Sequence, residues 1–142
     1  MNDAAKPPAL DQAIDSYNRG EYFDAAEMFE SAARDAADDL KALVAALNRI
    51  AAALHLRFER GVRQSSINLL SQAMLALDDL KPARAGIDTE RLFDELTAYI
   101  EEVRASPRDE RDGLKHRARL FLERRRAPKI NRTKINRTRL KS

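Results

Sequence analysis

Apolar residues recur every three or four positions along most of this chain, as they do on one face of a helix. Leu10, Ala13, Ile14 and Tyr17 open the pattern. Gly20 is the natural end of the first helix, because glycine adopts a left-handed backbone without strain. No stretch alternates apolar and polar residues as a half-buried strand does. The pattern therefore predicts an all-α fold.

The same spacing predicts five further helices, at about residues 21–37, 38–60, 67–80, 89–105 and 109–125. The third is apolar over most of its surface, which indicates a central position. Asp38 and Asp39 are expected to cap it, and Asp88 or Thr89 to cap the fifth. In the sixth, the expected buried side consists of Leu114, Ala118, Phe121 and Leu122. We expect a compact bundle of five to six helices over residues 1–126.

Residues 127–142 are predicted to form a basic, flexible tail, since the helical period stops after Pro128 and Lys-Ile-Asn-Arg-Thr then occurs twice. Charge divides the chain in the same region. Residues 1–107 hold 12 basic and 19 acidic residues, whereas residues 108–142 hold 14 and 4. An acidic body with a basic end indicates that the basic end has a role of its own.

The candidate contacts for nucleic acid or another acidic partner are the nine cations of residues 124–142: Arg124, Arg125, Arg126, Lys129, Arg132, Lys134, Arg137, Arg139 and Lys141. Arginine binds phosphate with two hydrogen bonds, and basic arms gain affinity by releasing counterions. No aromatic residue follows Phe121, so contact with a nucleic-acid backbone is favoured over base stacking. The other interpretations are a large protein assembly, an acidic membrane surface, the chain's own acidic body, or no ligand.

Several classes of chemistry are excluded by composition. The chain has no cysteine, so it forms no disulfide and no thiolate zinc site. Neither a nucleophile elbow nor a glycine-rich phosphate loop is present, and we expect no cofactor. The start lacks an apolar signal region and no stretch is long enough to span a membrane, so a cytoplasmic protein that is not an integral membrane protein is predicted.

Three residues could still support metal or acid–base chemistry. Glu27 and Glu30 lie three positions apart on one helical face, and His55 lies on the apolar third helix. A carboxylate-bridged metal site in a bundle would need Glu-x-x-His motifs, which are missing. The alternative is a purely structural role, in which Glu30 forms an ion pair with Arg34 and a packed His55 is hydrogen-bonded to Glu27 or Glu30. We expect no metal.

The opening hairpin resembles known families. Gly20, Tyr22, Ala25, Phe29 and Ala32 are similar to the second half of a tetratricopeptide repeat, but only one copy is found. A longer match, over about residues 10–105, resembles the domain of unknown function 309 family of small all-α proteins. It is carried by residues 17–34 and by the apolar helix, His55, Gly61 and leucine-rich helix that follow.

The family signature is partly degenerate here, since Ala26, Ala33 and Val62 replace its histidine, tryptophan and asparagine. Glu27, Glu30, Arg34 and His55 remain at matching positions and form what the resemblance implies to be a residual polar cluster. The family implies a helical fold and no particular activity.

These observations predict a non-enzymatic adaptor, with the helical body as the interaction module and the tail as an electrostatic anchor. The alternative is an enzyme or metal-binding protein that uses Glu27, Glu30 and His55. A homo-oligomer, paired through the alanine-rich face of the second helix, is a third hypothesis. For the adaptor, deletion of residues 127–142 is expected to abolish partner binding and leave the melt unchanged.

Overall fold

The computed structural model describes residues 8–106 and 114–133. Within these ranges it contains six helices: α1 (Pro8–Asn18), α2 (Tyr22–Asp35), α3 (Asp38–Arg60), α4 (Gln64–Asp78), α5 (Thr89–Ala105) and α6 (Leu114–Arg125). No strand occurs in the described ranges, so the all-α prediction is confirmed. The predicted start of the sixth helix falls in residues 107–113, which lie outside them.

The first five helices pack in chain order. α2 lies against α1 and α3, α3 lies against α2 and α4, and α4 lies against α5. α3 buries side chains from Leu40 to Arg57 along nearly its whole length. Its central position follows from its apolar surface, because a helix between two neighbours must bury both sides.

Helix ends follow the sequence in most places. Gly20 and Gly61 have φ of 85° and 68°, and the Gly61 N–H donates to the Arg57 carbonyl at 3.1 Å. Asp88 caps α5 by accepting from the Arg91 N–H at 3.0 Å. At α3, however, the N-cap residue is Ala37 and no side chain caps the helix, so the predicted carboxylate cap is wrong. Asp38 and Asp39 lie in the first turn, near the positive end of the helix dipole.

The predicted buried side of α6 is also wrong. Phe121 and Leu122 are 62% and 51% exposed, and Ala118 is exposed as well. Glu123 is the residue that α6 buries, at 2% exposure. The reason is electrostatic: the core contains the Arg57 guanidinium, and a buried cation needs an acid beside it. The side chain of Leu114 is not among those described.

Residues 127–133 pack against the body instead of forming part of a flexible tail. Ala127 and Ile130 are buried, at 5% and 3% exposure, and belong to the same apolar core as the helices. Burial of these side chains keeps the segment in place because it removes apolar surface from water. The remaining part of the predicted tail, residues 134–142, lies outside the described ranges.

Candidate functional site

The docked segment, residues 127–133, is held first by the end of α1. The Tyr17 hydroxyl donates to the Pro128 carbonyl at 2.6 Å within the core. Asn18 forms two bonds to Ile130: its Nδ2 donates to the carbonyl at 2.9 Å, and its Oδ1 accepts from the N–H at 3.0 Å. A side-chain amide that satisfies both backbone groups of one residue mimics a strand partner. Burial, with nearby Tyr22 and Glu95 adding to it, raises the pKa of Tyr17, so this hydroxyl stays protonated.

The segment then pairs with the loop between α4 and α5. The Asp88 N–H donates to the Asn131 carbonyl at 2.8 Å, and the Thr133 N–H donates to the Gly86 carbonyl at 2.9 Å. Ile87 and Arg132 form an isolated antiparallel bridge between these two bonds. Backbone pairing of this kind fixes the direction of the chain at Thr133, the last described residue.

Four of the nine candidate cations contact the body. Arg126 pairs with Glu102, which raises the pKa of that guanidinium, and Arg132 pairs with Asp11 at 2.9 Å. Lys129 donates from its ammonium to the Asn18 carbonyl at 3.1 Å, and its N–H donates to a Glu95 carboxylate oxygen at 3.2 Å. The acids of the body thus serve as partners for the docked segment, which is the self-docking interpretation of the basic end.

Arg124 is the fourth, and it lies between α2, α3 and α6. Its guanidinium donates to the Gly20 carbonyl at 2.6 Å and lies over the rings of Tyr22 and Phe58, at 5.3 and 5.6 Å from their centroids. Glu59 lies 3.8 Å away. A guanidinium stacked on two aromatic rings is held by cation–π attraction as well as by hydrogen bonds.

Of the other five candidate cations, the structure describes one. Arg125 is exposed, beside Phe121 on the outside of α6. The remaining four lie outside the described residues: Lys134, Arg137, Arg139 and Lys141. The structure therefore gives body partners to Arg124, Arg126, Lys129 and Arg132, while the sequence of residues 134–142 contains four cations and no acid.

A buried ionic network that the sequence did not reveal ties α6 to α3 and α5. The Arg57 guanidinium donates to both Glu123 carboxylate oxygens at 2.9 Å, and the Tyr99 hydroxyl donates to the same carboxylate at 2.6 Å. Burial, the Glu123 charge and its hydrogen bond raise the pKa of Tyr99. Burial lowers the pKa of Arg57, but hydrogen bonds and attraction to Glu123 outweigh that effect and raise it overall. Two features of the sequence point to this network. Arg57 continues the apolar stripe of Ile50 and Leu54, and Glu123 is the one acid after residue 113.

The residual polar cluster is partly assembled. Glu27, Glu30 and His55 line one cavity of about 370 Å³ between α2 and α3, together with Asn48. Asn48 donates to the Ala26 carbonyl at 2.7 Å, which fixes one wall. The His55 ring packs on Phe23 with centroids 5.1 Å apart. In the described ranges, His55 has no hydrogen bond to Glu27 or Glu30.

Other expectations for this cluster are not met. Arg34 is exposed near the end of α2, and among the described residues no ion pair joins it to Glu30. The residues that the structure describes contain no group of three or more His, Cys, Asp or Glu side chains placed to hold a metal ion. What the arrangement offers is a cavity in which two carboxylates, an amide and an imidazole lie beside apolar side chains.

The alanine-rich face of α2 does not provide a surface for a second copy. Ala25 and Ala32 are buried at 0% and 3% exposure inside the chain. Small residues there let α2 approach its own neighbours α1 and α3 closely, which explains the composition. The predicted pairing of copies through this face is therefore wrong.

No protein-family model matches the chain, and no curated protein and no solved structure matches it either. Across residues 8–106 and 114–133, no helix is long and apolar enough to cross a membrane.

Proposed function

We propose that this protein is a non-enzymatic adaptor that holds an anionic partner, nucleic acid or nucleoprotein, through the cations that follow the docked segment. These are Lys134, Arg137, Arg139 and Lys141. The supporting observation is the fixed path of residues 127–133, which ends with the Thr133 N–H on the Gly86 carbonyl. Because the position of Thr133 on the body is fixed, the segment that carries these cations begins at a defined place.

Charge distribution supports the same function. Arg126 and Arg132 each have an acid partner on the body, and Arg124 and Lys129 bond to backbone carbonyls. Displacing them would break hydrogen bonds and expose Ile130. Residues 134–142 contain four cations and no acid, so neutralising a phosphate there costs no internal ion pair within that stretch. Contacts of this type are independent of base sequence.

The test is a titration of the full chain against a generic RNA and a generic DNA duplex at two salt concentrations. The variant replaces Lys134, Arg137, Arg139 and Lys141 by glutamine. The matched control makes four glutamine substitutions in α2 and α3, at Arg34, Lys41, Arg49 and Arg60. We expect salt-sensitive binding that the first variant loses and the control keeps. Equal loss in both variants, or no binding at low salt, would dispose of a nucleic-acid partner.

The alternative, a metal-binding or enzymatic role, keeps one observation in its favour: Glu27, Glu30 and His55 share a cavity. It requires a divalent metal to raise the melting temperature and His55→Ala to cancel the rise. A melting curve that metal leaves unchanged would remove this candidate.

Family membership and location belong to the same proposal. We infer that α1 and α2 form a tetratricopeptide-like hairpin, as expected from the resemblance of Gly20, Tyr22, Ala25, Phe29 and Ala32 to half of such a repeat. The positive φ of Gly20 and the burial of Tyr22, Ala25 and Phe29 support it. We also infer that the chain belongs to the domain of unknown function 309 family, as expected from the longer resemblance over about residues 10–105. A cytoplasmic location, as expected from the sequence, would give the basic end access to nucleic acid.

A further inference from the structure

Two helices carry most of the exposed large apolar side chains of the described residues. In the described ranges five such side chains are exposed, and four of them lie on α2 and α6: Phe23, Met28, Phe121 and Leu122. The fifth, Leu75, lies on α4. Clustering on two helices is notable because scattered exposed apolar residues are ordinary, whereas grouped ones mark interaction sites.

The two helices belong to one continuous face because Arg124 connects them. A cavity of about 430 Å³ is lined by Phe23, Asp24 and Arg124, and two smaller ones are lined by Phe121 and Arg124. Phe23 and Phe121 therefore flank the same guanidinium. We call this surface the α2–α6 face.

Its halves carry opposite charge. On α2 the exposed residues around Phe23 include Asp24, Glu27 and Glu30. On α6 the exposed charged residues are Lys115, Arg117 and Arg125, with no exposed acid in the described part of that helix. Each half thus combines an aromatic ring with charges that the other half complements.

We propose that the α2–α6 face binds a second copy of this chain, with α2 of each copy against α6 of the other. A twofold axis through the middle of a face with unlike halves brings the acidic half onto the basic half twice. The contact closes at two copies because both halves lie on one side of the molecule. Attraction between the halves fixes the register, and burial of Phe23 and Phe121 supplies the apolar contribution.

Charge reversal provides a decisive test. One variant carries Glu27→Lys and Glu30→Lys, which makes both halves basic; the other carries Arg117→Glu and Arg125→Glu, which makes both acidic. In either variant alone both contacts are repulsive, so the dissociation constant should rise by at least about tenfold. In an equimolar mixture each contact pairs unlike charges again, so association should return.

Sedimentation equilibrium across a range of concentrations, at low and high salt, provides the readout. The full chain is expected to shift from the mass of one copy to that of two, with weaker association at high salt. Phe121→Ser should weaken the dimer, whereas Leu75→Ser, on α4, should not. Helical circular dichroism confirms that every variant is folded.

Three outcomes would overturn the proposal. The first is one-copy mass at every concentration. The second is dimerisation by both charge-reversed variants alone, and the third is failure of their mixture to associate. Mass that grows beyond two copies would replace the closed dimer by an open chain of copies. Native mass spectrometry of the mixture should show one copy of each variant in the dimer.

Discussion

Glu123→Met removes the acid that neutralises Arg57 inside the core. Arg57 and Glu123 are 5% and 2% exposed, and two hydrogen bonds of 2.9 Å join them. Loss of one partner leaves a buried charge uncompensated, which costs about 3–5 kcal/mol. It also deprives the Tyr99 hydroxyl of its acceptor. For a chain of this size that loss lowers the melting temperature by about 10 °C or more.

A second variant distinguishes the loss of the Arg57–Glu123 ion pair from the cost of leaving the Arg57 charge buried without a partner. Arg57→Met combined with Glu123→Met and Tyr99→Phe removes every polar member of the network. Replacing a buried ion pair by apolar residues is often neutral, so this combined variant should be more stable than Glu123→Met alone. The control is Glu101→Gln, in an exposed pair with Arg104, which should cost less than about 1 kcal/mol.

Urea unfolding followed by circular dichroism gives the free energy of unfolding for each variant. A cost below about 1 kcal/mol for Glu123→Met would refute the buried network, since a solvated pair has that value. If the combined variant loses as much free energy of unfolding as the three single variants added together, the three residues act independently of one another.

Three further predictions concern the docked segment and the buried hydroxyls of Tyr17 and Tyr99. Tyr17→Phe removes the donor to the buried Pro128 carbonyl and should cost about 1–3 kcal/mol by urea unfolding. Tyr22→Phe removes an adjacent ring's hydroxyl that forms no hydrogen bond among the described residues, so it should cost less. Ile130→Ala should cost about 2–4 kcal/mol in the same assay; an unchanged melt would contradict docking. Burial raises the pKa values of Tyr17 and Tyr99, so as pH rises above about 10 these two hydroxyls lose their protons in the unfolded chain before they do in the folded one. The free energy of unfolding should therefore fall by about 1.4 kcal/mol per pH unit for each tyrosine. Tyr99→Phe should halve this slope.

The docking also changes the expected effect of deletion. Removing residues 127–142 takes away Ile130 and the acceptor of Tyr17, so it should lower the melting temperature. From sequence alone, the same deletion was expected to leave the melt unchanged. Neutralising the cations of residues 134–142 is the cleaner test of binding, because it keeps the core intact.

The helices could be read from the sequence because each of the first five has an apolar stripe that is buried in its neighbour. Gly20, Gly61 and Asp88 also act locally, through backbone conformation and capping, so their roles follow from residue type. Spacing could also bring Glu27, Glu30 and His55 together, since helices joined by a short loop pack side by side.

The orientation of α6 could not be predicted in that way. Its apolar residues Phe121 and Leu122 suggested one side, but the buried position was determined by Arg57, more than sixty residues earlier in the chain. A search for a charge within an apolar stripe, and for an acid to match it, would have favoured Glu123.

The docked segment was missed for a different reason. Its bonds join backbone groups to Asn18, Gly86 and Asp88, and backbone groups are the same in every sequence. The pentapeptide that contains Ile130 is followed by an identical copy, so composition alone did not mark residues 129–133 as a segment that docks.

We propose that the basic end has two parts: the docked segment, residues 127–133, and a binding segment, residues 134–142. The most direct measurement compares two glutamine variants, one at Lys134, Arg137, Arg139 and Lys141, the other at Arg126, Lys129 and Arg132. Each is melted and titrated with RNA over a range of salt concentrations. We expect the first variant to keep its melting temperature, and the slope of its log binding constant against log salt concentration to fall by about three. The second should melt earlier and keep most of its slope. Equal slopes lost from both variants, with equal melts, would contradict the division.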